Sequence, residues 1–262
     1  MKDTFLEKII AVTREKVEAQ KQEASIGATR KRALTIRPSV EPFRLSQALG
    51  RKDRTNVVAE IKRASPSKGV INDQIDVCET AKMYERGGAC AISVLTEEQF
   101  FRGSIEDLKI ARDSVELPIL RKDFTIDEFQ IYEAAAAGAD AVLLIVAALT
   151  FENLRDFQTL ARELGLDALV EVHTPEDLKI AIEIGAKLIG INNRNLHTFD
   201  VSLDVSRELI KHRPPGALMI AESGISSRQQ IDELRSLGFD GFLVGESLMR
   251  SNAAQQALEA MV

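Results

Sequence analysis

The chain has 262 residues, 45% of them hydrophobic and 28% charged, an ordinary globular composition that excludes collagen-like, low-complexity and broadly disordered proteins. Its 34 basic and 40 acidic residues leave a formal net charge of −6, so we expect no nucleic-acid partner, because such proteins usually carry a basic surface for phosphate. The longest apolar run, residues 141–149, is far shorter than the roughly 20 residues that cross a bilayer as a helix. We therefore expect no membrane partner either.

The first 50 residues do not share the pattern of the rest of the chain. Apolar residues from Phe5 to Val17 recur at helical spacing in a highly charged stretch, and a second short helix is predicted at about residues 40–49. The start of the chain lacks the uninterrupted apolar segment of a secretory signal. We predict a helical extension, residues 1–50, ahead of a main domain at residues 51–262. The pattern leaves open whether this extension closes the bottom of the domain or covers its active-site mouth.

Short strands rich in Val, Ile and Leu recur along the rest of the chain, with helical segments between them. They are apolar throughout, which is typical of parallel strands that are covered on both faces. A glycine precedes several of them, as in Gly138 and Gly238, and we expect it to end the preceding helix in a left-handed conformation. Eight such units predict an α/β fold, a single (β/α)8 TIM barrel. The predicted strands are residues 56–61, 90–95, 118–120, 141–146, 168–172, 188–191, 218–221 and 241–244.

The ends of these strands are unusually charged, and in a TIM barrel the chemistry lies at the C-terminal ends of the strands. Strand one, for example, ends with Glu60 and Lys62, two apart and therefore on one face. Gathering many charges costs several kcal/mol per ion, so we interpret the set as a site and not as structural ion pairs. From residue type alone, an enclosed lysine could be a general acid, a phosphate ligand or a Schiff-base nucleophile. The polar residues at predicted strand ends include Glu60, Lys62, Lys122, Glu171, Asn192, Arg194 and Glu222.

The last two predicted strands lead into glycine turns at Gly224 and Gly245. TIM barrels often bind phosphate at these two loops through backbone N–H groups. We therefore predict a phosphate site there, which also includes Ser223. Glu246 fits beside an anion only if its side chain points away from it.

The histidines and cysteines form no metal-binding pattern. His173, His197 and His212 are far apart, and only His173 lies near a strand end, where we expect it at the rim of the site and not in catalysis. The spacing of Cys78 and Cys90 supports neither zinc binding nor a disulfide framework. We expect two buried, inert thiols in a reducing compartment, no bound metal, and a cytoplasmic location.

The strand-end motifs resemble those of the indole-3-glycerol phosphate synthase family. The resemblance covers nearly the whole chain, and residues 59–69 (AEIKRASPSKG), 120–124 (LRKDF) and 190–194 (GINNR) carry it in this order. It implies a (β/α)8 enzyme of tryptophan biosynthesis that closes the ring of 1-(2-carboxyphenylamino)-1-deoxyribulose 5-phosphate and releases CO2 and water without a cofactor. It further implies that the N-terminal extension covers the mouth. The expected partner is a phosphorylated, anthranilate-derived small molecule, and we expect a monomer that can associate with other tryptophan-pathway enzymes.

The resemblance also implies a role for each matching residue. Lys122 looks like the general acid on the substrate carbonyl, Glu171 like the general base, and Lys62 like the lysine that contacts anionic substrate groups. Some family members have Ser at the position of Glu246, so only its backbone N–H is expected to contact phosphate. The residues that resemble orienting groups are Glu60 and Asn192, and those that resemble further substrate and phosphate ligands are Ser65, Arg194, Glu222, Ser223, Gly224, Gly245 and Glu246.

Three other functions fit parts of the same pattern. A Schiff-base aldolase also needs a lysine at a strand end, where Lys122 is predicted to lie. A sugar-phosphate isomerase would use the same phosphate loops with a different acid–base pair. A regulatory phosphate-binding barrel would keep those loops without the catalytic groups, and the intact set of Glu60, Lys62, Lys122 and Glu171 argues against it.

Overall fold

Parallel strands alternate with helices along the computed structural model, which describes residues 4–196 and 198–262. The eight strands close into one barrel, each paired with its neighbours in the chain and the last paired with the first. The predicted (β/α)8 barrel and the positions of its strands are confirmed. The strands are β1 Val57–Ile61, β2 Ala91–Leu95, β3 Ile119–Lys122, β4 Ala141–Ile145, β5 Asp167–Val172, β6 Leu188–Asn192, β7 Leu218–Glu222 and β8 Gly241–Val244.

The helix ends follow signals in the sequence. Thr150, Thr174 and Ser227 each accept a hydrogen bond from the backbone of the first turn of their helix. Gly138 and Gly238 have φ angles of 89° and 111°, the predicted left-handed conformation, which glycine adopts without strain. The α-helices of the described residues are α1 Phe5–Glu23, α2 Ile26–Ile36, α3 Arg44–Leu49, α4 Val77–Arg86, α5 Ile105–Ser114, α6 Glu128–Ala136, α7 Phe151–Glu163, α8 Pro175–Glu183, α9 Asp204–Leu209, α10 Arg228–Leu237, α11 Glu246–Met249 and α12 Ala254–Glu259.

The strands are buried on both faces, which explains their continuous apolar sequence. Outward-facing residues such as Ile92 and Val142 pack with the helices. Inward-facing residues such as Val58, Leu120 and Leu169 form a separate interior cluster. Side chains alternate along a strand, so the residue two places after each of these also faces inward, at the C-terminal end of the barrel. The interior is therefore apolar at its centre and charged at that end.

The N-terminal helices reach both ends of the barrel. Leu6 and Ile9 of α1 are buried with Phe124 at the C-terminal ends of the strands. Leu45 and Leu49 of α3 are fully buried in the same interior cluster, next to the start of β8. The extension therefore covers the mouth with α1 and closes the bottom with α3, so both interpretations of it are right, each for a different helix.

The two cysteines differ in burial. Cys90 is buried, and burial raises the pKa of its thiol to about 12. Cys78 is only half-buried, because it lies on the first turn of α4 beside Lys82, so the prediction of two buried thiols is wrong for Cys78. None of the helices in the described part of the chain is long and apolar enough to cross a membrane.

Candidate active site

A cavity of about 660 Å3 opens at the C-terminal ends of the strands. Charged side chains line its floor, and apolar residues from α1 and from the loops form its walls. The structure brings together in this cavity every site residue that the sequence predicts. These are Glu60, Lys62, Ser65, Lys122, Glu171, Asn192, Arg194, Glu222, Ser223, Gly224, Gly245 and Glu246.

Lys122 lies between two carboxylates on the cavity floor. Its Nζ is 2.8 Å from Oε2 of Glu171 and also donates a hydrogen bond to Oε2 of Glu222. The three side chains are only 12%, 3% and 1% exposed, in that order. Burial alone would lower the pKa of Lys122, but the charges of Glu171 and Glu222 outweigh it and raise the pKa. Lys122 is therefore protonated at neutral pH.

The pKa values of the two carboxylates that bind Lys122 are shifted in opposite directions. Burial alone would raise the pKa of both. For Glu171 the charges of Lys122 and His173 outweigh burial and lower the pKa to about 2, and the Asn192 side chain adds a hydrogen bond. For Glu222, burial together with the negative charge of Glu171 outweighs Lys122 and raises the pKa to about 8. Separated pKa values in one cavity are typical of an acid–base site, with one group ionised and one protonated at neutral pH.

Glu60 and Lys62 form a second ion pair on the floor, at the end of β1. Nζ of Lys62 donates a hydrogen bond to Oε1 of Glu60. The Glu60 side chain passes so close to Gly245 that a Cβ there would lie 2.9 Å from the Cβ of Glu60 and would overlap its carboxylate. Gly245 is therefore required for the close approach of the first and last strands of the barrel.

The loops after β6 and β7 line the other part of the cavity. Arg194 donates from Nη1 to Oγ of Ser67 at 3.0 Å and to the carbonyl oxygen of Phe199 at 3.3 Å. Ser223 and Gly224 have φ angles of 66° and 80°, and a Cβ on Gly224 would lie 2.5 Å from Val201. Two successive left-handed residues give a sharp turn, and a non-glycine residue in this conformation is strained, which is common at functional sites.

His173 directly follows the last residue of β5, near the strand end where the sequence predicts it. Its side chain is 11% exposed and does not line the cavity, and its Nε2 lies 3.4 Å from Oε1 of Glu171. The backbone N–H of His173 donates to Asp177 of α8, and the residue two places after Glu171 falls on the same side of the chain. No group of residues that could hold a metal occurs in the described part of the chain, which does not include His197.

The apolar lining of the cavity and two of its cations, Lys68 and Arg250, are not predicted from the sequence. Phenylalanines just after predicted strands two and three were an available signal, because loops at the C-terminal ends of the strands border the mouth. Lys68, in the loop after β1, also lines the cavity, although it follows the strand by seven residues. The unpredicted apolar lining residues are Phe5, Leu6, Ile9, Leu95, Phe101, Phe124, Leu143, Ile145, Leu196, Phe199, Val201, Ile225 and Leu243.

Comparison with known proteins assigns the chain to a family. The model of the indole-3-glycerol phosphate synthase family matches residues 6–261. The chain is 47% identical to the indole-3-glycerol phosphate synthase of Carboxydothermus hydrogenoformans, covering 98% of this chain and 99% of that protein, and 46% identical to that of Koribacter versatilis, covering 98% of each. The structure of 3-hexulose-6-phosphate synthase from Salmonella typhimurium, 16% identical, superposes with a TM-score of 0.63 over 79% of this chain and 96% of that one, which supports the fold alone. The chain thus belongs to the indole-3-glycerol phosphate synthase family.

Proposed function

We propose that the chain converts 1-(2-carboxyphenylamino)-1-deoxyribulose 5-phosphate to indole-3-glycerol phosphate, CO2 and water, by general acid–base catalysis without a cofactor. Family membership over residues 6–261 supports the overall reaction. The observation that carries the mechanism is the position of Lys122, held between Glu171 and Glu222 on the floor of an apolar-walled cavity.

Lys122 is the proposed general acid of ring closure. The aromatic carbon that bears the carboxylate attacks the substrate carbonyl carbon, and the carbonyl oxygen becomes an alkoxide. A positioned ammonium that protonates this oxygen as its charge develops lowers the barrier. Because its ion pairs raise the pKa of Lys122, the proton is present when the substrate arrives. Loss of CO2 then returns the bonding electrons to the ring and restores its aromaticity.

Glu171 is the proposed base of the dehydration, and its basicity is coupled to Lys122. The charge of Lys122, 2.8 Å away, is the largest of the contributions that lower the pKa of Glu171. Once Lys122 has given its proton to the substrate, that charge is gone and the carboxylate becomes a stronger base. Glu171 then takes the proton of the ring amine as the hydroxyl leaves as water, and transfer of one proton from the adjacent ring CH2 carbon to the nitrogen completes the indole.

Glu222 supplies the proposed proton reserve. Its pKa of about 8 keeps it protonated at neutral pH, and it is hydrogen-bonded to Lys122. A proton that passes from Glu222 to the neutral amine would restore the ammonium for the departing hydroxyl. The raised pKa of Lys122 also argues against the Schiff-base aldolase, because a nucleophilic lysine must lose its proton easily.

The rest of the cavity suits the remaining parts of this substrate. Apolar residues of α1 and the loops provide a surface for the aromatic ring. Lys62 and Arg194 are proposed to bind the carboxylate and phosphate groups, together with the turns at Gly224 and Gly245. We also propose a monomer in the cytoplasm, as predicted from the sequence.

The direct test is an assay of the purified protein with freshly prepared carboxyphenylaminodeoxyribulose phosphate. We expect indole fluorescence to rise with time as CO2 is released, in the absence of any added metal or cofactor. Borohydride reduction of the enzyme with its substrate should give no covalent adduct by mass spectrometry, because no imine forms. Absence of a fluorescent product would overturn the assignment, and an adduct on Lys122 would favour the aldolase.

A further inference from the structure

Glu246 places a negative charge in the wall of the proposed phosphate site. Its side chain is 32% exposed and lines the cavity. Its Oε2 lies 3.6 Å from Nη2 of Arg194, and its Oε1 lies 4.0 Å from Nζ of Lys68 and 3.4 Å from Nε of Arg250. A phosphate would fit beside Glu246 only if this side chain pointed away from the site. The side chain instead points into the site.

The cations around Glu246 come from different parts of the barrel. Lys68 belongs to the loop after β1, where residues Ala64–Ser65 pair with Gly69–Val70 in a short hairpin. Arg194 belongs to the loop after β6 and donates to Ser67, next to Lys68. The Glu246 carboxylate, directly after β8, thus contacts both loops across the mouth. A carboxylate and a phosphate accept hydrogen bonds from the same ammonium and guanidinium groups, so they compete for them.

We infer that Glu246 is an internal counter-ion of Lys68 and Arg194, which holds these two cations at the mouth of the cavity and gives them up when a phosphate group binds. The inference rests on the proposed function, since the phosphate is that of the proposed substrate. Glu246 is a positioning residue in this role, because it acts on the ligand through the two cations. It keeps the loops after β1 and β6 in place before binding, and it weakens phosphate binding by competition.

Removing the carboxylate should therefore strengthen phosphate binding. Glu246→Gln keeps the size of the side chain, frees Lys68 and Arg194, and removes one repulsive charge from beside the anion. The ion pairs are partly exposed, so the gain should be modest, about 3- to 10-fold in Kd. Damage to the fold would weaken binding, so a gain in affinity distinguishes a counter-ion from a merely structural residue.

The probe is inorganic phosphate, titrated calorimetrically into the whole protein at low ionic strength and pH 7.5. Asp200→Asn is the matched control, because Asp200 is an exposed carboxylate that lines the same cavity without an ion pair to Arg194 or Lys68 in the described residues. It removes the same charge from the same rim. We expect Glu246→Gln to bind phosphate about 3- to 10-fold more tightly than wild type, and Asp200→Asn to stay within about twofold.

A double-mutant cycle tests whether the gain acts through the guanidinium. In an Arg194→Ala background, Glu246→Gln should gain clearly less than in wild type, because the partner it releases is absent. Equal or weaker phosphate binding by Glu246→Gln, an equal gain in Asp200→Asn, or no binding by any variant would each overturn the inference. The fluorescence assay of the wild-type protein tests the proposed reaction separately. If the wild type is inactive but Glu246→Gln binds phosphate more tightly, the proposed reaction is refuted and the counter-ion role stands. If the wild type is active but Glu246→Gln shows no gain in phosphate affinity, the counter-ion role is refuted and the proposed reaction stands.

Discussion

Two neighbouring basic residues of β3 show how one strand serves both structure and chemistry. Lys122 faces the cavity, whereas Arg121 faces outward and is fully buried. The Arg121 guanidinium donates to Thr96 at 3.1 Å and to Asp123 at 3.1 Å, and it forms an ion pair with Glu133 at 2.7 Å. A buried, fully bonded arginine has little freedom, so it fixes the end of β3. The position of Lys122 follows from this anchor directly behind it.

The first prediction concerns Lys122 as general acid. Lys122→Met should lower kcat by about 10²- to 10⁴-fold with little change in KM, because proton donation matters mainly in the transition state. Steady-state kinetics by indole fluorescence measure this change. The control is Lys109→Met on α5, where the lysine pairs with Glu106 of the same helix. Full turnover in Lys122→Met would remove the residue from the mechanism.

The second prediction concerns Gly245. Its φ of −129° lies outside the left-handed region that favours glycine, so the space around a new Cβ decides the effect of Gly245→Ala. The added methyl group would overlap the carboxylate of Glu60 and push it off its ion pair with Lys62. We expect a rise in KM of about tenfold or more, from misplaced anion ligands. Gly27→Ala, where the nearest atom is 4.0 Å from the new Cβ, should leave KM unchanged.

The third prediction follows from the raised pKa of Glu222. Its ordinary value is 4.5 and its folded value about 8, so the folded chain binds this proton more tightly than the unfolded chain does. Its contribution to stability is complete below about pH 4.5 and is lost as the pH rises through about 8.

The Tm of Glu222→Gln minus the Tm of the wild type should therefore increase as the pH rises from 5 to 9. We expect the gain to reach at least about 2–4 °C, the effect of about 1 kcal/mol at this chain length. Thermal unfolding followed by circular dichroism measures it, with the exposed Glu208→Gln as control. A Tm difference that does not depend on pH would contradict the raised pKa.

At the scale of elements, α1 and α2 attach to the barrel by different means. Besides its apolar face, α1 is held by polar contacts at the rim, such as Lys16 to Glu98 at 2.9 Å and Lys21 to Asp127 at 3.0 Å. Partly exposed pairs of this kind contribute little stability. At the end of α2, by contrast, the buried Arg37 donates to backbone carbonyl oxygens at the starts of β4 and β5. We infer that α1 serves the site and α2 the fold.

The fourth prediction separates these two helices by truncation. Removal of residues 1–24 should leave a folded barrel with strongly reduced activity, because Phe5, Leu6 and Ile9 no longer line the cavity. Removal of residues 1–42 should also lower the Tm sharply, because Arg37 and the packing of α2 are lost. Circular dichroism beside the fluorescence assay distinguishes the two truncated proteins, and equal Tm values for both would refute the division of roles.

Sequence patterns predicted the elements well because their signals are local. Each strand is a short apolar run, several of them follow a helix-ending glycine, and polar groups at the ends of parallel strands must meet at one end of the barrel. The positions of Glu171 and Lys122 in one cavity follow from this topology. The contact of Arg37 with the carbonyl of Gly165, or of His173 with Glu171, depends on side-chain packing that no local pattern specifies.

At the scale of the whole molecule, charges are buried at both ends of the barrel for different purposes. Asp140 and Asp240 directly precede β4 and β8, each two residues after a helix-ending glycine. Each accepts a backbone hydrogen bond from the start of the preceding strand, from Ile119 and Met219 at 2.9 and 2.8 Å. Both are also paired with basic side chains, so every acceptor oxygen is used. At the mouth, by contrast, Glu222 leaves Oε1 without a partner among the described residues.

This contrast gives the fifth prediction, at Asp140. The carboxylate is 1% exposed and lies between Arg44 and Arg112, so Asp140→Asn keeps the acceptor for Ile119 but removes the buried countercharge that the two guanidinium groups share. Breaking a buried pair in this way should lower the free energy of unfolding by about 3 kcal/mol. Asp140 lies a full strand length of roughly 15 Å from the mouth, so kcat and KM should stay within about twofold of wild type. Urea denaturation and the fluorescence assay measure the two effects. An Asp140→Asn protein that kept its stability but lost turnover would contradict this separation of the two ends.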